Sequence, residues 1–143
     1  PVVAVSSLAA QAQAALDDQG PISGLILSTL DARMDEVYWG VFQQQHGLVE
    51  LQGVERLSAP EQVGLQIATQ TPADFTAIGS GIHYATRMPV NNFSQQWCGE
   101  ILPTAAAVVK LGYADFKKSG GRPAAEAIPV YLRDEVAWKK QSQ

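Results

Sequence analysis

The sequence has one cysteine, Cys98, among 143 residues. A single cysteine cannot form a disulfide within the chain, so nothing points to an oxidising compartment and the cytoplasm is the expected location. No apolar run approaches the roughly 20 residues that a membrane-spanning helix requires. An Ala-Gln-Ala motif near the start is typical of a signal-peptide cleavage site, but no basic residue precedes Arg33. We therefore expect a soluble protein that is not exported.

Residues that carry catalysis are also few. The chain has two histidines, His46 and His83, and it lacks HExxH, paired CxxC motifs and clustered metal ligands. Nucleophilic catalysis requires a nucleophile with a base within reach, and no sequence context indicates such a pair. His46 is expected in a solvent-facing turn, and a lone cysteine such as Cys98 is more often inert packing. The sequence predicts no metal, no cofactor and no catalytic residue.

Charge is small in total but unevenly distributed. The net charge of −4 excludes a strong positive field over the whole molecule. From Lys110 onward, seven basic residues accompany four acidic ones, so this segment carries +3 and the first 109 residues carry −7. Either these lysines decorate a solvated helix and tail, or the tail contacts nucleic acid. The residues of such a partner or tRNA surface are Arg33, Lys117, Lys118, Arg133, Lys139 and Lys140.

The composition is that of one folded domain, with 46% hydrophobic and 17% charged residues. Residues 2–5 predict a short strand. Ser6 and Ser7 are candidate N-caps for a helix with apolar residues at helical spacing, and Gly20 is expected to end that helix.

Three antiparallel strands are predicted next, at residues 25–30, 37–42 and 48–54, with turns at residues 31–35 and at His46-Gly47. In the second strand, Tyr38 and Phe42 alternate with Val37, Trp39 and Val41, so both faces are apolar. We therefore expect this strand to be central, with something covering each face.

The second half of the chain alternates helix and strand. The pattern Ser58-Ala59-Pro60-Glu61 predicts a capped helix with Val63 and Ile67 directed inward, closed by Thr71-Pro72. A strand at residues 75–78 leads into Gly79-Ser80-Gly81 and a loop-rich stretch. A helix is expected from Pro103 to about Phe116, with Lys117 and Lys118 at its end. This order of elements is that of the ribonuclease H-like α/β fold, a mixed sheet flanked by helices.

Three segments carry a family resemblance: VSSLAAQAQAAL, LDARMDEVYWGVF and PAAEAIPVYLRDEVAWKK. In order and approximate spacing they resemble the TsaB (YeaZ) family, whereas residues 48–100 match mainly in predicted structure. The resemblance implies one ribonuclease H-like lobe of the two found in the actin-like ATPase superfamily. Residues 1–20 would be the end of the N-terminal lobe with its connecting helix, and residues 21–143 the C-terminal lobe and tail. The Asp-Thr motif and GPGSFTG-like loop of the N-terminal lobe do not occur in this sequence.

The resemblance also implies a function, which is support of threonylcarbamoyladenosine formation in tRNA by a non-catalytic partner of TsaD and TsaE. A homodimer in the absence of TsaD and indirect contact with tRNA are implied too. Where the catalytic paralogue has a glycine-rich phosphate-binding hairpin, this chain has Asp31-Ala32-Arg33. Gly79 and Gly81 stand at the superfamily's adenosine motif and are either a relic nucleotide pocket or a plain turn. Two alternatives stay open, a glycoprotease-like peptidase and a tRNA-contacting module acting through the basic tail.

Overall fold

The computed structural model describes residues 1–64, 74–89 and 95–133. Its helices are α1 (Ser7–Gln19) and α2 (Ala105–Ser119), and its strands are β1 (Leu25–Asp31), β2 (Val37–Gln45), β3 (Leu48–Leu51), β4 (Arg56–Ser58), β5 (Phe75–Ile78) and β6 (Gln95–Trp97). Short 3₁₀ helices occupy Pro60–Gln62, Ser80–Arg87 and Ala124–Glu126. The expected mixed α/β architecture is confirmed.

All six strands form one sheet in the order β3-β2-β1-β5-β6, with β4 also paired to β2. Strand β1 is antiparallel to β2 and parallel to β5, and β6 is parallel to β5. Strand β2 is therefore central, as expected, with β1 on one side and β3 and β4 on the other. Its two faces contribute to separate apolar clusters, Phe42 to one and Trp39 to the other.

The third predicted strand, residues 48–54, ends early at Leu51 as β3, and a further strand that was not expected, β4, follows it. Leu51 lies opposite Phe42, but Arg56 lies opposite Trp39, so the pairing register shifts by two residues between β3 and β4. The intervening residues include Gly53, whose φ of 86° ends the regular strand. This break, which alternation of apolar residues does not predict, interrupts the pairing with β2 between Gln52, whose N–H donates to the carbonyl of Val41 (2.7 Å), and Arg56.

Helix α1 covers one face of the sheet. Leu8, Ala12 and Leu16 pack against a cluster that includes Ile26 and Phe42. The predicted N-cap is confirmed at Ser6, whose Oγ accepts hydrogen bonds from the backbone of Leu8 and Ala9, and Gly20 is the C-cap with φ 78°.

Fully buried Gln13 joins α1 to the β2–β3 turn. Its Nε2 donates to the carbonyl of Gly47 (3.1 Å), and its Oε1 accepts from the N–H of Val49 (3.0 Å). Both amide ends are therefore paired, which is what makes a buried glutamine tolerable in a core helix. The turn itself is confirmed at His46-Gly47, with φ of 51° and 77°.

In the described residues, the opposite face is covered by the segment after β4, where a capped helix was expected to begin, and by the 3₁₀ helix Ser80–Arg87 with Met88. Trp39, Val63 and Met88 are buried together there. Only Pro60–Gln62 is helical in the described part, and its N-cap Ala59 makes no side-chain cap bond. The expected cap at Ser58 is wrong because its Oγ instead accepts from Trp39 Nε1 (2.9 Å) and donates to the carbonyl of Ala59 (3.2 Å). Val63 points inward as expected, whereas Ile67 and Thr71-Pro72 lie outside the described residues.

Three further expectations need correction or adjustment. Residues 2–5 form no strand but a single bridge between Val2 and Arg122, because Arg122 itself lies outside the strands of the sheet. Strand β6 falls in the stretch expected to be loop, since its three residues show no apolar alternation. Helix α2 begins after Pro103, with Thr104 as N-cap accepting from the N–H of Ala107, and it ends at Ser119 with Gly120 as C-cap.

Candidate functional site

The hairpin between β1 and β2 is the most unusual piece of backbone in the described chain. Arg33, Met34 and Asp35 have φ of 62°, 54° and 63°, so three successive residues other than glycine are left-handed. Each such residue costs about 1–2 kcal/mol relative to ordinary backbone. A hairpin of this kind persists only when its surroundings hold it in place.

Arg87 holds the hairpin from one side. Its guanidinium contacts both carboxylate oxygens of Asp35 (2.5 and 2.8 Å) and, through Nε, Glu61 (2.6 Å). It also lies over the ring of Tyr84, 5.9 Å from the centroid. One arginine from the 3₁₀ helix Ser80–Arg87 therefore joins the hairpin tip to the segment after β4, with the fork geometry that favours arginine over lysine.

These contacts change the protonation of the groups involved. Hydrogen bonds from Arg87 lower the pKa of Asp35 and of Glu61, and the two carboxylates in turn raise the pKa of Arg87. Loss of solvent raises the pKa of Tyr84, and the negative charge of Asp31 raises it further. At neutral pH the carboxylates and the guanidinium are therefore charged and paired.

Arg133 holds the hairpin from the other side. Its Nη2 lies 2.7 Å from Glu36 Oε2 and donates to the carbonyl of Ala32 (3.0 Å), and its side chain is only 16% exposed. By contrast the side chain of Arg33, at the tip, is 89% exposed and lies 3.8 Å from Asp31. The structure thus places both of these predicted surface arginines at the hairpin, but Arg133 forms an internal ion pair with Glu36.

The hairpin does not have the chemistry of a phosphate cradle. Such a cradle offers backbone N–H groups and positive charge to an anion. Here the N–H of Arg33 is already taken by Asp31 Oδ1 (2.8 Å), and Asp31, Asp35 and Glu36 place three carboxylates around the tip. This arrangement repels anions and binds its own arginines instead.

Gly79 and Gly81 lie where β5 leads into the 3₁₀ helix, packed against β1. A Cβ at Gly79, where φ is 99°, would lie 1.8 Å from Gln11 Nε2 and 2.0 Å from the carbonyl of Thr29. A Cβ at Gly81 would lie 2.5 Å from Thr29 Cβ. Close packing alone therefore requires glycine at both positions. The relic nucleotide pocket stays a prediction.

A groove of about 740 Å³ lies between the start of α1 and residues 128–133. Tyr38 and Glu55 contribute to its lining, and Ser6 Oγ donates to Glu55 Oε1. The carboxylate of Glu55 therefore already provides negative charge at the positive end of the helix dipole.

The candidate nucleophiles and bases are not brought together. His46 is exposed in the β2–β3 turn, His83 is exposed in the 3₁₀ helix Ser80–Arg87, and Cys98 packs against the apolar cluster beneath α1. Within residues 1–64, 74–89 and 95–133, no three His, Cys, Asp or Glu side chains are grouped as metal ligands. No helix in the same ranges is long and apolar enough to cross a membrane.

The basic residues expected at a partner or tRNA surface are divided among elements. Arg33 lies in the hairpin and Arg133 contacts it through Ala32 and Glu36, Lys117 and Lys118 lie in the last turn of α2, and Lys139 and Lys140 lie outside the described residues. Sequence reasoning missed Arg87, because its partner Asp35 is 52 positions away and no local pattern links them.

Fold and site together define a small mixed α/β domain in which the described residues form no catalytic constellation. Over 142 residues the chain is 30% identical to the tRNA threonylcarbamoyladenosine biosynthesis protein TsaB of Escherichia coli K12, covering 98% of this chain and 60% of that protein. The TsaB protein of Haemophilus influenzae is 28% identical over 152 residues, with the same coverage. No protein-family model matches.

Solved structures agree with the sequence relatives. YeaZ from Pseudomonas aeruginosa superposes with a TM-score of 0.77 at 38% identity, covering 92% of this chain and 59% of that one. An uncharacterized P. aeruginosa protein described as similar to peptidase YeaZ superposes with a TM-score of 0.78 at 38% identity, covering 93% of this chain and 59% of that one. The resemblance to the TsaB (YeaZ) family is therefore confirmed over nearly the whole chain, which spans about 60% of the length of its curated relatives.

Proposed function

We propose that this chain is a non-catalytic component of the system that forms threonylcarbamoyladenosine in tRNA. Its similarity to TsaB proteins over 98% of its length is the observation that carries the proposal. The described structure supports a binding role, because its histidines and its cysteine are apart and its charged hairpin is closed by internal ion pairs.

The finer architecture we propose is the C-terminal ribonuclease H-like lobe of an actin-like ATPase fold. Antiparallel β1, β2 and β3 followed by parallel β5 and β6 support this proposal. The resemblance implies that the corresponding hairpin of the catalytic paralogue is glycine-rich and binds phosphate. The carboxylates of this hairpin, two of which pair with Arg87 and Arg133 from elsewhere in the chain, therefore support a lobe that does not bind phosphate there.

The partners we propose are TsaD, as the catalytic subunit, and TsaE, as the ATPase, with tRNA contacted indirectly. Two features argue against a direct tRNA module at the hairpin. Arg133 is neutralised by Glu36, and Arg33 lies beside Asp31. A molecule with a net charge of −4 also lacks the field that supplies most non-specific affinity for nucleic acid. The cytoplasm is the compartment where these partners and tRNA occur.

A reconstituted assay tests the proposal. Purified TsaD, TsaE, tRNA and the small-molecule substrates are combined with either a whole TsaB protein or this chain, and threonylcarbamoyladenosine is measured in the tRNA. Because the chain matches only 60% of a TsaB protein, we expect it to replace that protein poorly by itself. Near-normal modification by the chain alone would place the essential partner surface within these residues.

The second candidate function is that of a peptidase. One observation favours it: a P. aeruginosa protein that superposes on this chain is described as resembling peptidase YeaZ. Peptide hydrolysis requires a nucleophile with a base or a metal-activated water. A fluorogenic peptide library incubated with the chain distinguishes the two functions. Turnover above a buffer blank that is lost in His83→Ala or Cys98→Ala would favour the peptidase and contradict the binding role.

A further inference from the structure

The two methionines of the chain lie in opposite surroundings. Met34, at the tip of the β1–β2 hairpin, is 68% exposed, whereas Met88 is 2% exposed and is buried with Trp39 and Val63. Oxidation of a thioether by a hydroperoxide requires the oxidant to reach the sulfur, so its rate follows the exposure of the side chain. Met34 is therefore open to such an oxidant in the folded chain, and Met88 is an internal reference for it.

The backbone at Met34 is held in place on both sides. Its φ of 54° is left-handed, a conformation that persists only when its surroundings hold it. Arg87 binds the neighbouring Asp35, and Arg133 donates to the carbonyl of Ala32 (3.0 Å). The hairpin therefore presents the Met34 side chain at one fixed place, beside the guanidinium of Arg133.

The sulfur of Met34 contacts a charged donor. Arg133 Nη1 lies 3.0 Å from Met34 Sδ, while Nη2 of the same guanidinium is paired with Glu36 Oε2 (2.7 Å). A thioether sulfur is only a weak acceptor. The side chain of Arg133 is 16% exposed, which limits the access of water to the guanidinium. Within the described part of the chain, Nη1 therefore has a weak acceptor at a place where a stronger one would fit.

Oxidation would turn this weak acceptor into a strong one. A sulfur lone pair attacks one oxygen of a hydroperoxide, the O–O bond breaks as the S–O bond forms, and the proton of the transferred oxygen passes to the leaving oxygen. The thioether is oxidised to a sulfoxide, and the hydroperoxide is reduced to water or an alcohol. A hydrogen bond from a guanidinium to the sulfoxide oxygen is charge-assisted. Because the side chain is unbranched and exposed, it can turn this oxygen toward Nη1.

We propose that Met34 is an oxidation site whose sulfoxide is held by Arg133, so that hydroperoxides strengthen the link between the hairpin and the segment that carries Arg133. The usual effect of methionine oxidation is disruption, because a polar oxygen enters an apolar core. Here the oxygen enters at the surface beside a guanidinium, and the sign of the effect is reversed. Methionine sulfoxide reductases reverse the modification. The proposal rests on this contact alone and is independent of the proposed role in tRNA modification.

The first measurement locates the oxidation. The chain is treated with hydrogen peroxide, and peptide mass spectrometry follows the gain of one oxygen at each methionine. In the folded chain Met34 should react at least about tenfold faster than Met88, and in concentrated urea the two rates should become similar. Equal rates in the folded chain would overturn the proposal. A difference that persists in urea would do the same, because exposure would not be its cause.

The second measurement is the melting temperature of the chain, by circular dichroism, before and after oxidation of Met34. Oxidation should raise the melting temperature by about 2–4 °C, as expected for one additional charge-assisted hydrogen bond in a domain of this size. Arg133→Lys is the matched variant, since it keeps a positive charge near Glu36 but has no second nitrogen for the sulfoxide, and the rise should be lost in it. Met34→Leu reports any effect of oxidation elsewhere, including at Cys98, and should show no rise.

Three results of the melting experiment would overturn the proposal. An oxidised chain that melts at the same or a lower temperature would show that the sulfoxide forms no stabilising contact. A rise of equal size in Arg133→Lys would show that the guanidinium does not hold the sulfoxide. A rise of equal size in Met34→Leu would place the effect at another residue.

Discussion

Replacement of Trp39 by alanine should destabilise the domain severely. The side chain is 4% exposed on the central strand, packs in the cluster that contains Val63 and Met88, and donates a hydrogen bond to Ser58 Oγ (2.9 Å). Truncation of a buried aromatic residue costs about 3–5 kcal/mol, because it removes apolar contact and leaves a cavity. Loss of the indole N–H bond contributes about 1 kcal/mol of this total.

Urea denaturation followed by far-ultraviolet circular dichroism measures the effect. With a slope of about 2 kcal/mol per molar urea, a loss of about 4 kcal/mol lowers the midpoint by about 2 M. Trp39→Phe, which keeps a ring but loses the donor, should cost about 1–2 kcal/mol. Tyr113→Ala, at a residue 64% exposed, should change stability by less than about 0.5 kcal/mol. A loss under about 1 kcal/mol for Trp39→Ala would refute the burial of this strand on both faces.

Three further predictions concern the hairpin, the glycine turn and catalysis. Gly79→Ala should cost several kcal/mol of stability, because a Cβ there meets backbone and side-chain atoms within about 2 Å. Gly53→Ala, at φ 86° with open space around it, should cost only about 1 kcal/mol. Equal losses in denaturant melts would show that close packing at Gly79 does not set the cost. Arg87→Gln should lower the melting temperature at pH 7, and it should lower it less at pH 3. The lowered pKa values of Asp35 and Glu61 mean that the ion pairs stabilise the fold above about pH 4, and that this stability is lost as the pH falls through the folded-state pKa values. A difference in melting temperature that persists unchanged at pH 3 would show that the contribution is not ionic. The chain should hydrolyse neither ATP nor peptides above a buffer blank, and turnover lost in Arg33→Ala would contradict this expectation.

The centre of the fold could be predicted from local patterns. Alternation of apolar residues on both faces of β2 indicated a central strand, and Ser6, Gly20 and His46-Gly47 marked ends and a turn through their own backbone chemistry. These features depend on neighbours in sequence, which is why one sequence was enough to place them.

The candidate site could be predicted only in part, because it depends on contacts between distant residues. Nothing near Arg87 indicates that it meets Asp35, and Arg133 was expected on an exposed surface although Glu36 holds it. Ser58 shows the same limit at the level of one side chain. Its sequence context is that of a helix cap, but the indole of Trp39 competes successfully for the hydroxyl group.

The central claim is that this chain acts in tRNA modification by binding and not by catalysis. The most direct measurement is threonylcarbamoyladenosine in tRNA, made by a reconstituted system in which this chain replaces the matched 60% of E. coli TsaB as a chimera. We expect modification near that of the unaltered protein, and the same level when His46, His83 and Cys98 are all replaced by alanine. An inactive chimera that folds, or activity lost with the triple substitution, would contradict it.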